Sequence, residues 1–145
     1  MTSCLNKEEQ KFARSLGAKW TGDFSDSFSE KMHAIIDTTP VWKPMLNSLG
    51  HLKPGGRLVI NAIRKESSDI NILSEIKYHE HLWMEKEIKS VANITRKDVE
   101  DFLGLAAKLP IRPAVEIYSF TDANKALLDL KSKRVIGAKV LMIKD

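Results

Sequence analysis

The sequence predicts an α/β domain with a largely parallel sheet, and two features of the chain favour that class. Short continuous apolar runs, such as residues 33–37 and 57–63, are typical of strands buried on both faces of a parallel sheet. Segments with apolar residues at helical spacing alternate with these runs along the chain. In such a fold, ligands bind beyond the carboxyl ends of the strands.

Composition sets the broad class of the protein. A chain of 145 residues is long enough for a domain with a hydrophobic core. Its net charge of +4 comes from Lys and Arg interspersed with Asp and Glu, which argues against a nucleic-acid-binding face. No apolar stretch approaches the roughly 20 residues that span a bilayer, so no membrane partner is expected. The single cysteine, Cys4, excludes an internal disulfide framework and favours a cytoplasmic location.

The first predicted helix covers residues 6–17. Asn6 can accept a hydrogen bond from the first turn, and Gly17 stands where a left-handed residue commonly ends a helix. Residues 21–31 lack a period and are predicted to form a loop. The run 33–37 is then the first predicted strand of the sheet.

The second helix is predicted from four apolar residues at helical spacing, and it leads to the paired glycines of the chain. The helix face contains Trp42, Met45, Leu46 and Leu49. Gly55 and Gly56 follow this helix and precede the strand 57–63. A phosphate-binding loop requires the opposite order, strand then glycines then helix. We therefore interpret the glycine pair as a turn, with Gly55 at a positive φ.

The rest of the chain continues the alternation of helices and strands. Ile72, Leu73 and Ile76 predict a short helix. Thr95 and Asp98 form a capping box that begins a longer helix. The remaining segments are predicted as strands at 87–94, 114–118 and 137–143 and as helices at 95–109 and 121–133.

Candidate catalytic and metal-binding residues are few. His79 and His81 are the only local cluster of metal-binding type, and without a third ligand at a familiar spacing they are interpreted as surface histidines. Asp37 ends an apolar run, where an acid usually binds backbone N–H groups. Cys4 lacks a histidine pattern that would activate it. The sequence therefore predicts no catalytic residue and no metal ligand in this chain.

Several stretches resemble zinc-dependent medium-chain alcohol dehydrogenases, in particular their cinnamyl-alcohol-dehydrogenase-like branch. The stretches are KFARSLGA, IIDTT, LKPGGRLV, SVANITRKD with FLGLAAKLPIR, and DANKALLDLKSKRVIGAKVLMI. They occur in family order over nearly the whole chain. The resemblance implies a C-terminal fragment with a partial doubly wound Rossmann sheet in residues 1–108. Residues 109–145 would form a strand–helix–strand segment of the GroES-like substrate domain.

The resemblance also implies which parts of the family are missing. The domain that holds the catalytic zinc and the first Rossmann strand with its G-x-G-x-x-G loop have no counterpart in this sequence. The expected cofactor is NADP, or NAD, in an intact parent protein. An acid usually binds the adenosine ribose of NAD, and here Ser3 and Lys7 occupy that corner and would accept a 2′-phosphate.

Further cofactor-binding residues follow from the same resemblance. Thr38 and Thr39 match the ribose side, and Val91 with Ala92 matches a second contact to the nicotinamide carboxamide. The first carboxamide contact matches the backbone of Ile60, Asn61 and Ala62. Asn61 departs from the glycine that is usual at its position.

The function implied is the cofactor-binding portion of a zinc-dependent NADP alcohol dehydrogenase or aldehyde reductase, with a small alcohol or aldehyde as substrate. The isolated chain is expected to be inactive. Two alternatives remain open: a non-catalytic dimerising module from a truncated gene, and part of a zinc-free relative of quinone oxidoreductases. A homodimer is expected through residues 87–92, because the family pairs its last Rossmann strand across a two-fold axis.

Overall fold

The computed structural model describes residues 2–3, 6–23, 26, 28–109, 111–132 and 137–143. The chain divides into two compact units, Met1–Asn93 and Ile94–Asp145. Both combine helices with parallel strands, so the predicted α/β class is confirmed. Assignment of residues 1–108 and 109–145 to two family domains stays a prediction.

The first unit begins with a small strand–helix–strand segment. Strand β1 (Thr2–Ser3) pairs in parallel with β2 (Thr21–Gly22), and helix α1 (Lys7–Ser15) connects them. The Asn6 side chain accepts a hydrogen bond from the Glu8 N–H at 3.0 Å, and Gly17 has φ +96°, as the sequence predicts for both helix ends. Residues 21–31, predicted to form a loop, contain β2. The sequence does not indicate this strand, because two residues are too few to produce a periodic pattern.

The main sheet of the first unit has three parallel strands in the order β3–β4–β5. They are β3 (Met32–Asp37), β4 (Leu52–Ile60) and β5 (Glu87–Ser90). Helix α2 (Lys43–Gly50) connects β3 to β4. Asp37 lies opposite Ile60, which lies opposite Ser90, so the three strands end at the same level.

The glycine pair makes an irregularity in β4 rather than a ligand-binding loop. The register with β3 shifts between the pairs Met32–Leu52 and Ala34–Arg57. Gly55 has φ +66°, which a residue with a side chain rarely adopts. A Cβ atom on Gly56 would lie 2.8 Å from the Lys53 carbonyl oxygen. The positive φ predicted for Gly55 is confirmed. The predicted turn before a strand at 57–63 is wrong, because the strand already begins at Leu52 and the glycines lie at an irregularity within it.

The core lies on one face of the main sheet. Its buried side chains are Met45, Leu46, Leu49, Leu52 and Leu58, with Ile35, Trp42 and Ile60 packed against them. The next residue of β3, Ile36, points to the opposite face and is 69% exposed. The prediction that run 33–37 is buried on both faces is therefore wrong for this chain: α2 covers one face, and the described part of the chain leaves Ile36 uncovered.

A long connection between β4 and β5 packs against the C-terminal end of α2. It contains a 3-10 helix (Ile70–Glu75) and a π-helical turn (Tyr78–Leu82). The Lys86 ammonium donates to the carbonyl oxygens of Leu49 at 2.9 Å and of Glu80 at 2.6 Å. This lysine satisfies a helix-terminal carbonyl and joins the connection to α2.

The two candidate metal ligands of this connection occupy different environments. His79 is exposed, as predicted, whereas His81 is buried. The Nδ1 atom of His81 accepts a hydrogen bond from the Lys77 N–H at 2.9 Å. Burial lowers the pKa of His81, which fits this acceptor role because a protonated imidazole has no free lone pair. The prediction of a surface histidine is wrong at this residue.

The second unit contains α3 (Arg96–Lys108), β6 (Val115–Ser119), α4 (Ala123–Ser132) and β7 (Ala138–Met142). The predicted capping box of Thr95 and Asp98 is present at the start of α3. Strands β6 and β7 are parallel and carry a polar cluster. In it Lys139 binds Glu116, and it also donates to the Tyr118 hydroxyl at 2.6 Å.

Candidate functional site

The carboxyl ends of the three main strands meet at one edge of the sheet. The Asn61 N–H donates to the Asp37 carbonyl at 2.8 Å, and the Val91 N–H donates to the Ile60 carbonyl at 3.0 Å. These bonds continue the ladder one residue past each strand. The segments that follow β3, β4 and β5 therefore start side by side, at the edge where parallel α/β sheets bind ligands.

A buried ion pair organises this edge. The Lys65 ammonium lies 2.6 Å from Asp37 Oδ2, and their side chains are 9% and 3% exposed. The other carboxylate oxygen, Oδ1, accepts the Thr39 N–H at 2.9 Å and the Thr39 hydroxyl at 2.7 Å. Asp37 thus binds a backbone N–H, as the sequence predicts, and it also neutralises a buried cation.

The Lys65 ammonium has two further oxygen ligands. It donates to the carbonyl oxygens of Thr39 and Val41, each at 2.9 Å. Its three hydrogens therefore face three acceptors, one charged and two neutral. The cation lies 5.9 Å from the centroid of the Trp42 ring. Hydrogen bonding and charge pairing together offset the cost of burying this lysine.

Backbone and indole groups connect the same two loops, which we define as the β3 loop (residues 38–42) and the β4 loop (residues 61–69). The Glu66 N–H donates to the Pro40 carbonyl at 2.7 Å. In return, the Trp42 indole N–H donates to the Glu66 carbonyl at 2.9 Å. The two loops therefore form one hydrogen-bonded layer above the ends of β3 and β4.

Asp69 closes this layer at the start of α2. Its Oδ2 atom accepts the N–H groups of Trp42 and Lys43, both at 2.8 Å, which are donors of the first helical turn. Burial alone would raise the pKa of Asp69. The backbone donors and the nearby Lys65 outweigh burial, so the pKa of Asp69 lies below its usual value. A carboxylate 26 residues downstream thus caps α2 in place of a residue at the helix boundary.

Most of the predicted cofactor residues come together at this edge. Thr38 and Thr39 follow β3, Asn61 and Ala62 follow Ile60 of β4, and Val91 and Ala92 follow β5. Thr38, Asn61, Val91 and Ala92 are exposed, whereas Thr39, Ile60 and Ala62 are half-buried. Their assignment to cofactor contacts stays a prediction.

The other two predicted cofactor residues lie in the small strand–helix–strand segment. Ser3 is the last residue of β1, and Lys7 is the first residue of α1. Both therefore flank one strand-to-helix connection. The Lys7 side chain is exposed.

Sequence reasoning missed Lys65 and Asp69 as organising residues of the edge. Both lie in a polar stretch, RKESSD, that lacks hydrophobic periodicity and predicts a solvated loop. Their partners are between 24 and 28 residues distant in sequence, so no local pattern identifies them.

Among the residues that the structure describes, no group of three or more His, Cys, Asp or Glu side chains could hold a metal ion. The same residues include no helix that is long and apolar enough to cross a membrane.

A curated relative matches most of this chain. The chain is 34% identical over 134 residues to the "probable alcohol dehydrogenase AdhA" of Mycobacterium tuberculosis, a match that covers 92% of this chain and 37% of that protein. This match bears out the resemblance to alcohol dehydrogenases over most of the chain. It spans little more than a third of the length of this relative. No family model matches the sequence.

Solved structures of alcohol dehydrogenases share the fold. A cinnamyl alcohol dehydrogenase from Sorghum bicolor superposes with a TM-score of 0.70 at 16% identity, covering 96% of this chain and 39% of the other. The protein named CAD from Helicobacter pylori, crystallised with NADP(H), has a TM-score of 0.62 at 20% identity, covering 90% and 37%. The chain thus adopts the fold of part of an alcohol dehydrogenase.

The edge formed by the strand ends carries several exposed groups. The exposed residues after the strands include Thr38, which has a hydroxyl, and Ala92, which has a small side chain. The Asn61 N–H already donates to the Asp37 carbonyl oxygen, so it is not a free donor for a ligand.

The buried pair of Asp37 and Lys65 should contribute to the stability of the first unit. Asp37→Asn leaves the Lys65 ammonium buried without a counter-charge, and we expect the free energy of unfolding to fall by about 3–5 kcal/mol. Urea unfolding followed by tryptophan fluorescence measures this unit, because all three tryptophans lie in Met1–Asn93.

The matched control is Glu87→Gln, which breaks the Arg57–Glu87 pair between β4 and β5. Both of its side chains are about half exposed, so the urea midpoint should change little. Equal effects of the two variants would contradict the special role of the buried pair.

Proposed function

We propose that this chain forms the nicotinamide and ribose side of the cofactor cleft of a zinc-dependent NADP alcohol dehydrogenase or aldehyde reductase. The observation that carries the proposal is the convergence of the β3, β4 and β5 ends at one edge of the sheet. Six of the nine predicted cofactor residues follow those strand ends, and a seventh, Ile60, ends β4. A family relative of 34% identity supports the reaction class.

Each strand end has its own role in the proposed cleft. Thr38 and Thr39 bind the ribose hydroxyls, and the ion pair beneath them fixes the loop that carries Thr39. The backbone after Ile60, together with Val91 and Ala92, binds the carboxamide and so sets which face of the nicotinamide ring meets the substrate. When bound, the nicotinamide accepts or donates the hydride.

The preference for NADP rests on the connection between β1 and α1. Ser3 ends the strand and Lys7 begins the helix, and the intervening residues, Cys4, Leu5 and Asn6, include no acid. A carboxylate in this corner would repel a 2′-phosphate, whereas a hydroxyl and an ammonium attract one. CAD from Helicobacter pylori, which shares the fold, was crystallised with NADP(H).

Zinc and proton transfer are assigned to residues outside this chain. The described residues offer no cluster of metal ligands, and the proposal places no proton-transfer group among them. We therefore propose that the chain alone is inactive and that the small alcohol or aldehyde substrate binds the intact parent. A cytoplasmic location, argued from the single cysteine, belongs to the same proposal.

The proposed function predicts the outcome of a reconstitution. The purified chain should not reduce aldehydes with NADPH and zinc. A chimaera that joins the preceding part of the Mycobacterium tuberculosis relative to this chain should bind NADPH and reduce aldehydes. The fall in NADPH absorbance at saturating aldehyde measures turnover by the chain and by the chimaera. Titration with NADPH measures whether the chimaera binds the cofactor. Turnover by the chain alone, after exclusion of host enzymes, would contradict the proposed division of labour, and a folded chimaera that binds no cofactor would contradict the cleft.

The cofactor preference gives a second prediction, made in the same chimaera. Ser3→Asp should reverse a preference for NADPH into one for NADH, because the new carboxylate repels the 2′-phosphate and accepts the ribose hydroxyls. The ratio of kcat/KM for the two cofactors measures this change. Ser3→Asn is the uncharged control and should keep NADPH. A wild-type preference for NADH would show that the β1 corner is wrongly assigned.

A second proposed role is dimer formation through residues 87–92. Strand β5 pairs with β4 along one side, and its other side is an edge of the sheet. Ile88 and Val91, near this edge, are 44% and 46% exposed. Unpaired strand edges with apolar side chains recruit further strands. A two-fold pairing of β5 strands would satisfy these groups, in the cleft-forming parent and in a non-catalytic module alike.

The substitution that tests this dimer is chosen by which N–H groups of β5 point away from β4. The Val91 N–H points to β4, so the Ser90 N–H points outward. Ser90→Pro removes that outward donor and should convert a dimer into a monomer, whereas Ser90→Ala keeps the donor and should remain a dimer. Light scattering over a dilution series measures the mass, and circular dichroism verifies the fold. A monomeric wild-type chain at every concentration would refute the dimer.

A further inference from the structure

The three oxygen atoms around Lys65 belong to the β3 loop and its strand, whereas the lysine itself belongs to the β4 loop. Asp37 Oδ2, Thr39 O and Val41 O lie 2.6, 2.9 and 2.9 Å from the ammonium nitrogen. We propose that Lys65 is a positioning residue of the cofactor edge: its ammonium fixes the β3 loop against the β4 loop at the spacing that a nicotinamide and its ribose require. This rests on the proposed function.

The three acceptor oxygens of Asp37, Thr39 and Val41, which we call the cage, explain why a lysine is suited to the task. An ammonium has three donors, and the cage has one carboxylate and two carbonyl acceptors. Thr38, which lies between Asp37 and Thr39, has an exposed side chain at the edge. Lys65 therefore binds both sequence neighbours of a predicted ribose contact.

The cage also orients Thr39. The two oxygens of the Asp37 carboxylate have different partners. Oδ2 accepts from the Lys65 ammonium, and Oδ1 accepts from both the N–H and the hydroxyl of Thr39. Without the ammonium, the buried carboxylate would move toward water and take Thr39 with it. Lys65 thus acts on a predicted cofactor residue through Asp37, without touching the cofactor.

The link to the β4 loop is equally direct. Lys65 is followed by Glu66, whose N–H donates to the Pro40 carbonyl and whose carbonyl accepts the Trp42 indole N–H. Removal of the ammonium should therefore loosen both loops together. The opposite end of the sheet, where the Met32 N–H donates to the His51 carbonyl at 2.8 Å, should be unaffected.

Amide hydrogen exchange of the full chain tests the positioning role without a cofactor. In Lys65→Ala, exchange of the Thr39 and Glu66 amides should accelerate by about 100-fold or more, as expected for a broken buried ion pair, and the acceleration should be about ten times larger than that of the Met32 amide, which the general loss of stability alone affects. The neighbour Arg64→Ala is the control, because the Arg64 side chain is 80% exposed and should leave all three amides unchanged. Equal acceleration of all three amides in Lys65→Ala would overturn the proposal.

Chemical rescue distinguishes the cage from a general loss of stability. Methylammonium fits the space left by Lys65→Ala and should restore most of the protection of Thr39 and Glu66. Tetramethylammonium at the same ionic strength has no N–H donor and should not. Lys65→Met fills the space with an apolar chain and should resist rescue. Protection that returns equally with both cations, or with neither, would overturn the cage.

A charge-free pair keeps the proposal testable if Lys65→Ala fails to fold. Asp37→Asn/Lys65→Met removes both charges and should retain much of the unfolding free energy, since buried pairs are often replaced at little cost. The Thr39 and Glu66 amides should nevertheless exchange faster than in the wild type. Wild-type exchange at both amides in this variant would mean that the pair contributes stability alone.

Cofactor titration then separates this inference from the proposed function. In the chimaera, Lys65→Ala should weaken NADPH binding by roughly 10-fold, and methylammonium should reverse the loss. Wild-type affinity in Lys65→Ala would overturn the role toward the cofactor. Absence of binding in the wild-type chimaera would overturn the proposed function, whereas the exchange and rescue measurements would still decide whether Lys65 fixes the two loops.

Discussion

The buried pair of Asp37 and Lys65 is the interaction on which the edge at the carboxyl ends of the strands depends. Asp37 ends β3, pairs through its backbone with the residue after β4, and divides its carboxylate between Lys65 and Thr39. Each group would be costly to bury alone, and each is acceptable because the other supplies the opposite charge. Two loops without regular structure acquire a fixed arrangement through this single contact, and the hydrogen bonds of Glu66 and Trp42 reinforce it.

The small core below this edge explains why polar contacts matter so much here. The buried cluster consists of five side chains from α2 and β4, and it covers one face of the sheet. The other face carries the exposed Ile36 together with the charged pair of Arg57 and Glu87. The relative in Mycobacterium tuberculosis is nearly three times as long as the match.

Local chemistry made much of the fold predictable. The Asn6 cap, the Thr95–Asp98 capping box and the positive φ of Gly55 are confirmed because each depends on residues within a few positions of one another. The helix face from Trp42 to Leu49 is confirmed because burial follows the helical period. Burial of both sheet faces was wrong, since it depends on partners that periodicity cannot supply. His81 was wrong because its burial depends on packing of the π-helical turn against α2.

The sequence by itself determined the order of the main helices and strands, the positive φ of Gly55 and the resemblance to alcohol dehydrogenases. These features depend on short-range backbone preferences and on residue order, which are written directly in the chain. The tertiary structure alone decided that Lys65 and Asp69 serve a loop and a helix some 26 residues away. The reason is physical: a polar side chain finds its partner through the path of the whole chain, and a charge is held in the interior only where folding has brought an opposite charge to meet it.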